Sequence, residues 1–180
     1  MRIDDDTLDR ARAALISLAA ATPWPRITLR TIADEAGVSL SELYERADSK
    51  RALLADLSRR FDLEALALPI VQADDAHDRL FEAVMARLEV MAPHRTALIA
   101  IARADGPLAL SPHFPPTARA ILELAGLEAT LPRLAAMTLI WARTVQVWRD
   151  DEGALNRTMA EIDKRLKQMR RRLSRIGAGF

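Results

Sequence analysis

Residues 28–50 read TLRTIADEAGVSLSELYERADSK, and this stretch decides the fold. Thr28 suits a helix N-cap, because its hydroxyl can accept a hydrogen bond from a free amide of the first turn. Gly37 is expected to end that helix in the left-handed conformation that glycine tolerates. Ser39 and Glu42 have the spacing of a capping box and predict the start of a second helix. The stretch therefore predicts two short helices joined by a tight turn, a helix-turn-helix.

The composition of the whole chain favours helix and limits the classes of site. The 180 residues are 50% hydrophobic, with alanine, leucine and arginine dominant and β-branched residues sparse. There are no cysteines, and His77, His94 and His113 lack metal-ligand spacing, so no metal or cofactor is expected. No apolar run reaches the roughly 20 residues needed to span a bilayer, and the acidic N-terminus has no apolar signal region. These features predict a cytoplasmic protein.

Periodicity along the chain predicts about nine helices. A first helix is ended by the sequence Pro23-Trp24-Pro25, where Trp24 is interpreted as a core lid rather than a ligand contact. Ser49 is expected to cap a longer helix that stops near Pro69. A loop with four prolines is predicted over residues 105–116, and the last two long helices over residues 131–148 and 154–176. The predicted segments are 1–48 for the helix-turn-helix domain, 49–71 for a connecting helix, and 72–180 for a ligand-binding and dimerisation domain.

The run IADEAGVS, the Leu-Tyr pair at residues 43–44 and the run SKRALL at residues 49–54 resemble the N-terminal domain of TetR-family transcriptional regulators. The resemblance implies an all-α chain with an N-terminal three-helix DNA-binding domain and a C-terminal helical bundle. It also implies that the second helix of the pair enters the DNA major groove, and that Tyr44, Lys50 and a threonine at position 28 or 31 contact phosphates. The remaining DNA-contact candidates on the two helices are Arg30, Ser39, Ser41, Glu45 and Arg46.

Two carboxylates lie on or near the predicted groove-facing side. Glu42 is explained more simply as the capping-box residue than as a DNA contact. Glu45 has no such explanation, although a glutamate can accept a hydrogen bond from cytosine N4. Residues 1–62 carry ten Lys/Arg and eleven Asp/Glu, a net charge of about −1, whereas residues 164–180 carry seven Lys/Arg and no acid. The basic surplus therefore lies in the C-terminal tail and not in the helix-turn-helix.

Large apolar side chains in the C-terminal half allow two interpretations. They form the core of a helical bundle or line a cavity for a small apolar effector, and the spacing of Trp141 and Trp148 on one helix face slightly favours the cavity. The candidate ligand-binding residues are Phe81, Met85, Met91, Met137, Trp141 and Trp148. No signature of a nucleophile, a phosphate-binding loop or a metalloprotease is found, so we predict no catalytic residues and no enzyme activity.

The basic tail is predicted to be an amphipathic helix with three open interpretations: a dimer helix with solvated basic sides, a peripheral membrane contact, or a nucleic-acid contact. Residues 147–166 also resemble the C-terminal part of the ubiquinone-biosynthesis lipid-binding accessory family, which implies isoprenoid binding by a TetR-like fold without DNA binding. The leading prediction is a TetR-type repressor, a homodimer that binds a double-stranded operator and is released by a small apolar effector. The alternative is the lipid-binding accessory protein.

Overall fold

The computed structural model describes residues 6–69, 73–105, 111–151 and 155–178. Nine α-helices account for most of these residues, which confirms the predicted all-α class. They are α1 (Asp6–Ala21), α2 (Leu29–Ala36), α3 (Leu40–Arg46), α4 (Lys50–Leu66), α5 (Ala76–Met91), α6 (Arg95–Asp105), α7 (Phe114–Leu124), α8 (Leu131–Asp150) and α9 (Asn156–Ser174). Within the described ranges, no helix is long and apolar enough to cross a membrane.

The first compact unit spans residues 1–60 and 93–109, of which 6–60 and 93–105 are described. In it α1 packs against α2, α3 and α6, and a 3₁₀ turn at Trp24–Arg26 also contacts α6. Trp24 is almost fully buried, which confirms its predicted role as a core lid. The apolar stripes of the short helices close this core through fully buried side chains, which are Leu15, Trp24, Ile27, Ile32, Leu43 and Leu53.

The second compact unit spans residues 61–92 and 110–180. In it α8 packs between α7 and α9, and α5 contacts both α7 and α9. Leu80, Leu88, Ile121, Leu122 and Met137 are fully buried at its centre.

The two units do not coincide with the predicted segments 1–48, 49–71 and 72–180. The chain divides between Arg60 and Phe61, within α4, and α6 groups with the N-terminal helices. The functional roles given to those segments remain predictions.

Two predicted element boundaries were wrong or fall outside the described residues. The loop predicted over residues 105–116 instead contains a 3₁₀ turn at Ser111–His113, and α7 already begins at Phe114. Proline was treated as a loop signal, yet in the first helical turn its missing N–H has no acceptor to lose. Residue 154, the predicted start of the last helix, and residues 106–110 of the loop lie outside the described residues; α9 begins at Asn156.

Candidate functional site

The first helix of the pair, α2, begins with a reciprocal capping box. The Thr28 hydroxyl accepts a hydrogen bond from the Thr31 amide at 3.2 Å, and the Thr31 hydroxyl accepts one from the Thr28 amide at 2.9 Å. Arg30 and both threonines are exposed. The two hydroxyls therefore fix the start of α2, and its first-turn amides and the Arg30 side chain are presented to solvent at a helix end that attracts anions.

The turn between the helices has the predicted chemistry. Gly37 is left-handed, with a φ of 63°, and its amide bonds to carbonyls of the last turn of α2. A side chain at this φ would be strained, which explains why glycine stands there. The Ser39 hydroxyl then accepts a hydrogen bond from the Glu42 amide at 3.1 Å and caps α3, with the Ser41 hydroxyl 3.2 Å from that of Ser39. The predicted N-cap at Ser39 is confirmed.

The predicted capping box at Ser39 and Glu42 is only half correct. The Glu42 carboxylate accepts a hydrogen bond from the Thr7 hydroxyl at 2.5 Å, so it ties α3 to α1. Thr7 is buried and lies 35 residues earlier in the chain, which local spacing could not reveal. One of the two carboxylates on α3 is thus partly neutralised by a donor within the unit and is turned from the exposed face.

The exposed face of α3 is polar and narrow. Leu43 is fully buried and anchors the helix to α1, whereas Tyr44 is 59% exposed and Ser41 and Glu45 are also exposed. These three positions share one face, because residues three and four apart are neighbours on a helix. Arg46 is exposed, and its guanidinium donates to the Glu42 carbonyl at 3.0 Å, which holds it along the last turn of α3.

Lys50 at the start of α4 is directed into the N-terminal unit. Its ammonium donates to the carbonyls of Trp24 at 2.8 Å and Ile27 at 3.0 Å, and lies 4.3 Å from the centre of the Trp24 ring. An ammonium has three donors, so the two carbonyls leave one for a further acceptor such as a phosphate. The sequence identified Lys50 as a DNA contact but missed this role in fastening α4 to the segment that precedes α2.

The arginines of α1 are committed to neighbouring groups. Arg12 forms ion pairs with Asp9 and Asp56 and is mostly buried. Arg10 pairs with Asp6 at 3.2 Å, and its guanidinium lies 3.4 Å from the carbonyl of Gly37 in the turn. The basic side chains that remain exposed on the helix-turn-helix are therefore Arg30 and Arg46.

The six predicted ligand residues all lie in the C-terminal unit, but they are not equivalent. Met91, Met137, Trp141 and Trp148 are buried, whereas Phe81 and Met85 are half-buried. None of the six lines the shallow groove that opens between α8 and α9, which has a volume of about 140 Å³. Their role as a ligand site remains a prediction.

A buried ionic cluster next to Trp141 was missed from the sequence. Arg87 is only 3% exposed; its guanidinium donates to the Asp62 carboxylate at 2.7 Å and lies 5.2 Å from the Phe61 ring and 5.6 Å from the Trp141 ring. The Thr117 hydroxyl donates to the same carboxylate at 2.9 Å. Burial lowers the pKa of Arg87, and the charge of Asp62 opposes that shift.

No sequence signal could have found this cluster, since its members are 25 to 55 residues apart. In the part of the chain that the structure describes, no group of three or more histidine, aspartate or glutamate side chains is arranged to hold a metal ion. The polar chemistry of the C-terminal core is therefore that of a guanidinium between two aromatic rings.

Sequence comparison matches the chain to no family model and to no curated protein. Structural comparison does find similar proteins. A TetR transcriptional regulator from Rhodococcus sp. RHA1 superposes with a TM-score of 0.70 at 18% identity, over 91% of this chain and 95% of that one. The TetR transcriptional regulator from Nitrosomonas europaea ATCC 19718 superposes with a TM-score of 0.65 at 22% identity, over 90% of this chain and 96% of that one.

This chain has the TetR fold. The superposition covers the helix-turn-helix and the C-terminal bundle together, because it extends over about nine-tenths of both chains in each pair. At these identities the likeness concerns the fold alone. The short motif at residues 28–50 was therefore sufficient to predict the architecture of a chain with low overall identity to these proteins.

Proposed function

We propose that this protein is a TetR-type transcription regulator that binds an operator duplex as a homodimer and releases it when a small apolar ligand binds. The observation that carries the proposal is the complete helix-turn-helix within a TetR fold, with a capped α3 anchored by Leu43 and a polar outer face. A helix of this kind fits the major groove of B-DNA, which is about 12 Å wide.

Phosphate contacts in this proposal come from around the pair of helices. The first-turn amides of α2 and the exposed Arg30 approach one phosphate, because a helix N-terminus and a guanidinium both favour an anion. Tyr44, Arg46 and the remaining donor of Lys50 approach others. Such contacts fix the position of the protein on the duplex but carry little sequence information.

Base readout in this proposal falls to the exposed face of α3. Since Glu42 is bonded to Thr7, the side chains available there are Ser41, Tyr44 and Glu45. A carboxylate accepts a hydrogen bond from cytosine N4, so Glu45 favours a cytosine at the base it meets. Replacement of Glu45 by alanine should then relax the preference at one base pair, by about 1–3 kcal/mol, and leave the other positions unchanged.

The proposed homodimer uses the outer face of α8 together with α9. Leu131 and Leu139 are 83% and 72% exposed, and Ala135 lies between them at a spacing of four residues. An exposed apolar stripe on a long helix is typical of a protein–protein interface. A two-fold pair would place two copies of α3 on half-sites about 34–36 Å apart.

The proposed effector site is the apolar interior around Met137, Trp141 and Trp148 on α8. Ligand binding there would stabilise one arrangement of the dimer over the other only to the extent that the ligand binds the two arrangements with different affinity. The alternative, a lipid-binding accessory protein, gains no support from the two structural neighbours, since both are described as transcriptional regulators.

Selection from a random duplex library, followed by fluorescence anisotropy with the selected duplex, tests the proposal. Arg30→Ala should weaken binding at every sequence and lower the salt dependence by about one unit, as expected for one lost phosphate contact. Arg119→Ala is the matched control, because Arg119 is equally an exposed arginine but lies on α7 of the C-terminal unit. A library that yields no enriched sequence, or equal loss in both variants, would contradict the proposal.

A further inference from the structure

The basic side chains of α9 fall into two groups that the sequence does not separate. Three are paired: Arg165 with Glu161 at 2.7 Å, Lys167 with Asp163 at 2.8 Å, and Arg170 with Asp75 at 3.2 Å.

The second group comprises Lys164, Arg171, Arg172 and Arg175, which form no ion pair with any residue in the described ranges and are all exposed. At 100° per residue these four lie within about 100° of one another around the helix. They therefore form one continuous cationic stripe on the outer side of α9.

Part of this stripe is concave. Gln168, Arg171, Arg172 and Arg175 line a depression of about 260 Å³, called here the basic cup. Three guanidinium groups around one depression match the oxygens of a phosphate, because each can present two parallel N–H donors. The glutamine adds a neutral donor at the same place.

The basic cup is continuous with an apolar groove between α8 and α9. Leu139, Ile140, Met169 and Leu173 supply the apolar surface of this groove, and Arg165 and Arg172 supply its basic rim. Gln168 and Arg172 line both the cup and the groove. A phosphate site and a hydrocarbon-compatible surface thus meet at two shared side chains.

The size of the groove limits what it can hold. Its volume of about 140 Å³ is close to that of an engineered cavity of about 150 Å³ that takes up benzene. It therefore suits a section of a single hydrocarbon chain and not a bulky ring system. A nucleic-acid phosphate would use the cup alone and leave the apolar groove without a partner.

We propose that the cup and groove together bind a single-chain anionic amphiphile, with its phosphate head between the arginines and its first methylenes over Leu139 and Met169. The proposal goes beyond DNA binding and does not depend on it. The site lies wholly on α8 and α9 and is separate from the buried residues around Trp141.

Calorimetric titration of the full-length protein with dodecyl phosphate, below its micelle-forming concentration, tests this proposal. Inorganic phosphate provides the head alone, and dodecyl maltoside provides the same chain with a neutral head. Dodecyl phosphate should bind once per protomer and at least tenfold more tightly than either control compound. Equal affinity for inorganic phosphate would leave an anion site only, and equal affinity for the maltoside would leave an apolar surface only; either result overturns the proposal.

Arg172→Gln is the informative variant, since Arg172 lines both parts of the site and its exposed position tolerates the change. It should weaken dodecyl phosphate binding about tenfold, as expected for a lost hydrogen bond to a charged group. Arg170→Gln is the matched control on the same helix, because Arg170 is paired with Asp75 and lines neither depression. Equal effects of the two variants would show that overall charge, and not the cup, attracts the ligand, and would refute the proposal.

Sedimentation in the same solutions distinguishes an amphiphile from a second copy of the chain, since Leu139 also belongs to the proposed dimer face. A dimer that persists while no amphiphile binds would mean that the partner covers the groove, and the proposal would be wrong. Because the titration contains no DNA, its failure is independent of operator binding, which the duplex assay measures separately.

Discussion

Replacement of Lys50 by alanine should destabilise the N-terminal unit as well as weaken DNA binding. The change removes two hydrogen bonds from an ammonium to buried-side carbonyls, at 2.8 and 3.0 Å, and a contact with the Trp24 ring at 4.3 Å. Hydrogen bonds to charged groups contribute about 1.5–3 kcal/mol each, and a cation–π contact about 0.5–1 kcal/mol. Since Lys50 is only half-buried, we expect the lower part of this range, a loss of about 2–4 kcal/mol.

Urea unfolding followed by circular dichroism measures this loss, with Lys167→Ala as the control. Lys167 makes one exposed ion pair with Asp163 on the surface of α9, and such pairs contribute about 0–1 kcal/mol. Lys50→Ala should also reduce affinity for all duplexes alike, because its remaining donor is proposed to meet a phosphate. If Lys50→Ala unfolds at the same urea concentration as Lys167→Ala, the inward bonding of the ammonium does not stabilise the unit and the reasoning is refuted.

Three further predictions concern the C-terminal unit. Asp62→Asn should cost about 3–5 kcal/mol in urea unfolding, because it leaves the buried Arg87 charge without its counter-ion; combining Asp62→Leu with Arg87→Met should recover most of that loss, and a double variant as unstable as the single one would contradict this. The pKa of Asp151 is lowered by hydrogen bonds from the first turn of α9, so its stabilisation is present above its ordinary pKa and is lost as pH falls below it; the difference in Tm between wild type and Asp151→Ala should therefore shrink between pH 4 and pH 2, and a constant difference would oppose the prediction. Leu139→Arg should give a monomer in sedimentation at micromolar concentration, since it places a charge in the proposed apolar seam, and an unchanged dimer would exclude this face as the interface.

Local signals predicted the helix-turn-helix well because each is complete within a few residues. The threonine cap at position 28, the left-handed Gly37 and the serine cap at position 39 each satisfy backbone groups of their own or the adjoining turn. The same reasoning failed at Glu42, whose carboxylate bonds to Thr7 on α1. A capping-box pattern states which bond is available locally, but a distant buried donor can offer a better one.

The buried cluster in the C-terminal unit shows a second reason for failure. Arg87 has the sequence appearance of a solvated helix residue, since nothing within one turn predicts that it is buried. Its burial depends on Asp62 from α4, Thr117 from α7 and the rings of Phe61 and Trp141, which only the packing of the helices brings together. Interactions between elements far apart in sequence carry no periodic signal.

The division of α9 into paired and unpaired cations was also hidden. The sequence shows seven basic residues in a row without acids, and the partner of Arg170 lies 95 residues away. Three interpretations of the tail therefore remained open from the sequence, and only the positions of the ion pairs identify the stripe from Lys164 to Arg175 as the face that is available.

The salt dependence of wild-type affinity for a selected operator and for a scrambled duplex of the same length tests operator binding most directly. The operator should bind at least about 10³-fold more tightly than the scrambled duplex. With Arg30 and Lys50 contributing from each protomer, the slope of log affinity against log salt should be about −3 to −4. Equal affinity for the two duplexes, or affinity that does not change with salt, would contradict a DNA-binding role for α2 and α3.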